Sequence, residues 1–350
     1  MKKILFYAGN VNYESYFDVD ERDACNDGFI CLKERLYELG YLLTPYSQID
    51  APLEEYSHII FLGTGSVYPL GGGSIVGTFK KFIKYCLPSR YKRYNLYKNC
   101  LKKGLRSKLL FIWGEGSVVD VYFNHDDIKN KFNCILTWKN NYVDNIKFFK
   151  YYLPISRSYP LITKLKFNDK KLILNISMNK SSKSKYELYS KRRDSIRYFE
   201  KYHPRDFDLY GYGWDKNEFP SYKGMVKNKV DVLPFYKFCL CYENNMGEDD
   251  YITEKIFDAM RSNTVPIYWG APNIDSYVDP GAFIDRRKFN SDKELAEYIC
   301  SMTEDMYIKI ILNIENYLQS DSFKLFSAVN YSDTIIKALN ISKSYSKDLD

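Results

Sequence analysis

No apolar run in this sequence approaches the roughly 20 residues that cross a bilayer, and its start, "MKKILFYAGNVNYE", turns polar too early for a secretory signal. The expectation is a cytoplasmic protein. Histidine is scarce: His58, His125 and His203 have neither ligand spacing nor a neighbouring nucleophile, and read as structural. Cysteine is present (Cys25, Cys31, Cys86, Cys100, Cys134, Cys239, Cys241, Cys300), but no CxxC pair or zinc-like spacing occurs, so these read as reduced core residues. Also missing are GxGxxG and GxxxxGK[ST], internal repeats and any nucleic-acid motif. "GTGS" (Gly63 to Ser66) and "GGGS" (Gly71 to Ser74) therefore read as flexible loops, with an acceptor role at most, rather than phosphate cradles. The sequons at Asn175, Asn179, Asn330 and Asn340 are those chance places in a chain rich in Lys, Asn and Ser.

What is there is a globular composition, 45% hydrophobic and 27% charged, over 350 residues, enough for two domains of roughly 150 to 175 residues. The formal charge of +7 is uneven, because Lys80 to Lys108 holds eleven Lys/Arg and no Asp/Glu. A solvated basic face is the plain reading of that stretch; the functional one is peripheral contact with an anionic membrane surface, at the inner membrane face.

Short apolar runs ending in glycine recur between helical patterns. "KKILFYAG", "HIIFLG" and "KLLFIWG", with "CILTW" as a fourth run that lacks the glycine, predict strands of one parallel sheet, and "DACNDGFICLKERLYELG" predicts a helix with a glycine stop. The pattern loosens at "YYLPISRSYPLITKLKFNDKK", read as a linker, and a second series follows with strands "KLILNISM", "DFDLYGYG" and "VPIYWG", and with "LPFYKFCLCYEN" as a helix end plus strand. The domains expected are 1–158, 159–328, and a C-terminal helix and tail over 329–350. Two consecutive doubly wound units with a cleft between them suit a nucleotide or nucleotide-sugar.

In "YENNMGEDDYITEKIFDAM", Thr253 stands where a helix N-cap belongs, and Glu254-Lys255 open a helix with Ile256, Ala259 and Met260 on its apolar face. Free N–H groups, the helix dipole and the Lys255 charge together favour a phosphate there, leaving Glu254 to accept from sugar hydroxyls. An ordinary helix start, with Glu254 on the dipole and Lys255 in water, is the bland alternative. Around this helix the F-x-L-x-[FY]-E-N, Y-[VI]-T-E-K and V-P-[IV]-x-x-G blocks occur in order, in "KFCLCYENNMGEDDYITEKIFDAMRSNTVPIYWGAP". The stretch closely resembles the α-1,3/α-1,4-fucosyltransferase family, glycosyltransferase family 10, in its bacterial type.

That resemblance implies a GT-B fold, two Rossmann-like doubly wound domains facing a central cleft. It implies a GDP-fucose donor held by the C-terminal domain and inverting transfer to a GlcNAc hydroxyl, O3 by expectation, of a glycan or glycolipid acceptor in surface-glycan assembly. The donor-side positions fall on Asn244, Tyr251, Glu254 and Lys255. The family's phosphate-contacting arginine matches Arg192 best, because Ile196 and Phe199 follow it at +4 and +7, with Arg193 second. Either fork-shaped guanidinium can pair with a diphosphate. Glu115, after "LLFIWG", matches the family's catalytic glutamate; without that match it is a loop glutamate of the ordinary exposed kind. Asp249-Asp250 imitate an Asp-x-Asp metal motif with the wrong spacing, so no metal is expected, and Glu248, Asp249 and Asp250 read as a solvated loop. Two alternatives stay open: another GDP-hexose on the same fold, and a nucleotide-sugar-binding protein without turnover, which would have no use for Glu115.

Overall fold

A computed structural model of the chain describes residues 1–9, 14–18, 23, 25–67, 96–120, 125–157 and 165–341. Cys86, the "GGGS" loop, the basic stretch from 80 to 95, the His125 side chain, part of the linker (158–164) and the tail "KSYSKDLD" lie outside the described residues.

The first unit is built on β1 (Lys2–Tyr7), β2 (Tyr41–Pro45), β3 (Tyr56–Leu62), β4 (Leu109–Ile112), β5 (Cys134–Thr137) and β6 (Phe148–Lys150). These form one parallel sheet of order β2-β1-β3-β4-β5-β6. All of β4 is buried, as expected of an unbroken apolar run covered on both faces. Helix α1 (Asp27–Glu38) joins β1 to β2 and buries Cys31, Leu32 and Leu36, and the short helices α2 (Leu96–Lys102) and α3 (His125–Lys131) precede β4 and β5.

The second unit carries β7 (Lys171–Ile176), β8 (Phe207–Tyr210), β9 (Tyr236–Tyr242), β10 (Val265–Trp269) and β11 (Ile284–Asp285), again all parallel, in the order β11-β10-β9-β7-β8. Helix α4 (Tyr189–Tyr202) joins β7 to β8, and α5 (Glu254–Arg261) joins β9 to β10. Helices α6 (Asp292–Cys300), α7 (Glu304–Leu318) and α8 (Asp321–Lys324) follow β11.

By compactness the chain divides into Met1–Glu21, Asn26–Tyr152 and Ala328–Asp350 on one side, and Arg22–Cys25 with Leu153–Ser327 on the other. The last helix, α9 (Ala328–Ala338), thus joins the first unit, whereas the sequence reading set 329–350 apart. Its apolar face explains this: the Tyr331 ring meets Phe29 and Tyr151 edge-on, each at 5.7 Å, and Asp333 pairs with Arg35.

In both sheets the first strand lies inside, with the second strand on one flank and the third on the other. The chain therefore reverses its direction of winding between β1 and β3, and between β7 and β9. Ligands of open α/β sheets bind outside the carboxyl ends of the strands at such switch points.

Candidate active site

At the second switch point, β9 ends at Tyr242 and the chain continues into Glu243, which is fully buried. Its carboxylate accepts hydrogen bonds from the Thr253 amide (2.9 Å), the Thr253 hydroxyl (2.8 Å to Oε2) and the Lys255 ammonium (3.0 Å). A buried carboxylate is costly unless paired and hydrogen-bonded, and here it is both. Thr253 does occupy the N-cap position of α5, but its side chain makes no capping bond; its hydroxyl is turned to Glu243. Gly270, just past β10, leaves room for the Glu243 side chain: a Cβ there would sit 2.4 Å from Glu243 Cγ.

Arg192 reaches the same point from α4. It is buried, its Nη2 donates to the carbonyls of Tyr242 (2.6 Å) and Glu243 (3.1 Å), and its Nε has no hydrogen-bond partner among the described residues. Burial pulls this guanidinium below its ordinary value, with Tyr189 and Glu243 opposing. The helix that carries it is held by a chain of polar contacts, from the Tyr242 hydroxyl to Ser195 Oγ (3.1 Å), on to Asp292 (2.7 Å), and from Asp292 to Arg286 (3.0 Å). Arg193 points elsewhere and donates to the Lys180 carbonyl at 3.3 Å. The geometry separates two arginines that the sequence left together.

Lys255 lies 3.7 Å from Glu254 as well as 3.0 Å from Glu243. Burial alone would lower the ammonium; the two carboxylates outweigh it and raise it, against a smaller opposing effect of Arg192. Burial likewise raises the half-exposed Glu254 carboxyl, but Lys255 and Lys229 hold it down at about 2. Lys229 is in turn paired with Asp258 at 2.6 Å and with Asp23 at 3.7 Å. Asn244 is half-buried, and its carbonyl accepts from the Leu188 amide at 3.1 Å. Tyr251 is buried in the loop before α5.

That loop is not the solvated turn expected from "GEDD". Asp249 is exposed, but Glu248 is buried, and Asp250 accepts from Asn273 Nδ2 (2.9 Å) and the Tyr277 hydroxyl while its amide donates to Asn273 Oδ1 (2.9 Å). Asp250 adopts φ +68°, a conformation Asp and Asn tolerate better than most residues. It is a loop anchor.

In the first unit Glu115 stands exposed three residues past β4, at the carboxyl edge of the sheet. The Tyr151 hydroxyl donates to the Trp113 carbonyl, and Thr64 donates to Asp120, so both ends of the 113–120 segment are tied down. At the switch point beside it, Gly9 approaches Gly65 so closely that a Cβ would lie 2.9 Å from the Gly65 carbonyl oxygen. The described end of the basic stretch lies at the other edge: Lys103 pairs with Glu54, and Lys108 donates to the carbonyls of Glu54 and Tyr56 where β3 begins.

Among the described residues no group of three or more His, Cys, Asp or Glu is placed to hold a metal ion. His58 is half-buried, lowered by burial and by Lys108, and His203 packs on Phe199 at the end of α4. The residues sequence reasoning passed over are Glu243, Gly270, Lys229 and Asp258. Glu243 and Gly270 stood inside the quoted motif blocks, as the Glu of E-N and the Gly that closes V-P-[IV]-x-x-G.

Two doubly wound α/β units make this chain a GT-B protein. A solved structure of an alpha1,3-fucosyltransferase with GDP shares the fold, with a TM-score of 0.60 and 18% identity over 99% of this chain and 93% of that one. Residues 170–310 match the family described as glycosyltransferase family 10 (fucosyltransferase), C-terminal. It is similar to the alpha-(1,3)-fucosyltransferase FucT of Helicobacter pylori, 46% identical over 74 residues, which are 21% of this chain and 15% of that protein. It is similar also to the alpha-(1,4)-fucosyltransferase of Arabidopsis thaliana, 47% identical over 74 residues, 21% of this chain and 18% of that one. The matched stretch thus spans less than a fifth of either curated relative.

Proposed function

We propose that this chain transfers fucose from GDP-fucose to a GlcNAc hydroxyl of a glycan acceptor, at O3, with inversion and without a metal ion. The observation that carries this reading is the meeting of Arg192 and Lys255 at one residue of the second switch point, with the buried Arg192 Nε unpaired there among the described residues. Two cations in that position neutralise the charge that grows on GDP as the glycosidic bond breaks, and they do the work that a metal does elsewhere. Tyr251, buried in the loop before α5, completes the diphosphate site on this proposal. Glu254, kept ionised by Lys255 and Lys229, accepts from ribose or fucose hydroxyls together with Asn244.

Glu115 is the general base that removes the acceptor proton. As the acceptor oxygen attacks the anomeric carbon, the bond to GDP breaks, the proton passes to the Glu115 carboxylate, and GDP leaves with the electron pair. GDP release measured over a panel of GDP-sugars, with and without N-acetyllactosamine or lactose, tests the reading. GDP-fucose inert with every acceptor would refute it. Transfer to O4 is a second reading, favoured by the equal similarity to an alpha-(1,4)-fucosyltransferase, and linkage analysis of the product separates the two. The basic stretch brings the enzyme to a lipid-linked acceptor on this proposal; no binding to anionic liposomes at low salt would count against it.

A further inference from the structure

We infer that Glu243 is a positioning residue that sets the spacing of the two cations facing the diphosphate; this rests on the donor-site reading above. Each polar part of Glu243 has a separate use. Its amide donates to the Trp269 carbonyl at 2.8 Å and pins it to β10, its carbonyl receives Arg192, and its carboxylate receives Lys255 and Thr253. Gly270 and the Tyr268 hydroxyl close the space around it, and the residue has no exposed surface. The separation between Arg192 and Lys255 is therefore set through one immobile residue.

A stabilising role alone does not account for this choice, because an apolar side chain would fill the same space without the desolvation of a carboxylate. An attractive role does not account for it either, since a negative charge beside the two cations opposes binding of an anion. What remains is placement. A lysine on a four-carbon stem is a mobile point charge, and the buried carboxylate holds it where charge develops on the leaving group. The Thr253 hydroxyl bonds Glu243 and also receives Lys255 at 2.9 Å, so it braces the same pair.

Placement acts on the transition state more than on the bound ground state, so its loss falls on kcat. Glu243→Gln keeps the shape and removes the charge. We expect kcat to fall about tenfold or more, with GDP affinity by calorimetry changed less than about threefold. Thr253→Val is expected to lower kcat by about threefold, and its effect should largely vanish in the Glu243→Gln background, because both act through one contact. Loss confined to KM or to GDP affinity, or losses that multiply in the double variant, would overturn the positioning role and leave the donor site standing. Failure of the parent chain to bind GDP would overturn both. If Glu243→Gln loses its near-UV circular dichroism, Thr253→Val alone decides by the same split between kcat and KM.

Discussion

Gly270→Ala tests whether the space beside Glu243 is as tight as the geometry requires. A Cβ at Gly270 would lie 2.3 Å from the Tyr268 hydroxyl and 2.4 Å from Glu243 Cγ, where carbon contacts are normally about 3.5 to 4.0 Å. Both neighbours are fully buried, and the Tyr268 hydroxyl is held by the Ala271 amide at 3.1 Å, so each must yield by about 1 Å unless the Gly270 backbone itself shifts. Overpacking of this kind costs about 1–3 kcal/mol. For a unit of this size that is a fall in melting temperature of about 2 to 12 °C. Where Glu243 yields, Lys255 yields with it, and a displacement of about 1 Å near the chemistry costs about a hundredfold in rate. Thermal denaturation followed by transfer kinetics reads both effects. Gly65→Ala is the control, since a Cβ there meets nothing within 4 Å, and it should melt no lower than the parent. Gly270→Ala with a melting temperature within about 1 °C of the parent and unchanged kcat would show that the pocket relaxes freely, and the packing argument would fall.

Glu115→Gln should abolish transfer while leaving GDP binding nearly intact by calorimetry; a variant with near-native turnover would remove Glu115 as the base. Asp250→Gly removes the carboxylate without backbone strain, as φ there is +68°, and should cost about 1–3 kcal/mol in denaturant unfolding, while Asp249→Ala stays within about 0.5. Equal midpoints for the two would refute the anchor. The Glu254 carboxyl is held at about 2 against an ordinary 4.5. Between those values the unfolded chain binds more protons, so the contribution of Glu254 is complete above about 4.5 and is lost as the pH falls towards about 2. Its side chain is 43% exposed, and solvent screens much of the effect. Glu254→Gln should therefore lose less stability than the parent across that window in acid denaturation; parallel curves would refute the coupling to Lys255 and Lys229.

What was legible in the sequence follows from the range of the interactions involved. β3, β4, β7, β9 and β10 are buried apolar runs, and their pattern is local, so the alternation of strands and helices and the doubly wound class could be read directly. The strands not legible in the sequence, β2, β6 and β11, are five, three and two residues long, and all three are edge strands whose identity comes from a neighbour. The site divides in the same way. Lys255 at the start of α5 was visible from the helix pattern, because a cap position and a following lysine are a local signal. Glu243 stands in the E-N block without a local signal, because its role is made by partners ten and twelve residues further on, across a loop whose closure the sequence does not display. The misreading of "GEDD" has the same origin. Consecutive carboxylates look like a solvated turn until Asn273 and Tyr277 come back to meet Asp250, and only the fold places them there. The carboxylates of this segment therefore divide by contact rather than by composition: Glu243 sets cations, Glu254 faces outward between two lysines, Asp250 closes the loop, and Asp249 is left to solvent.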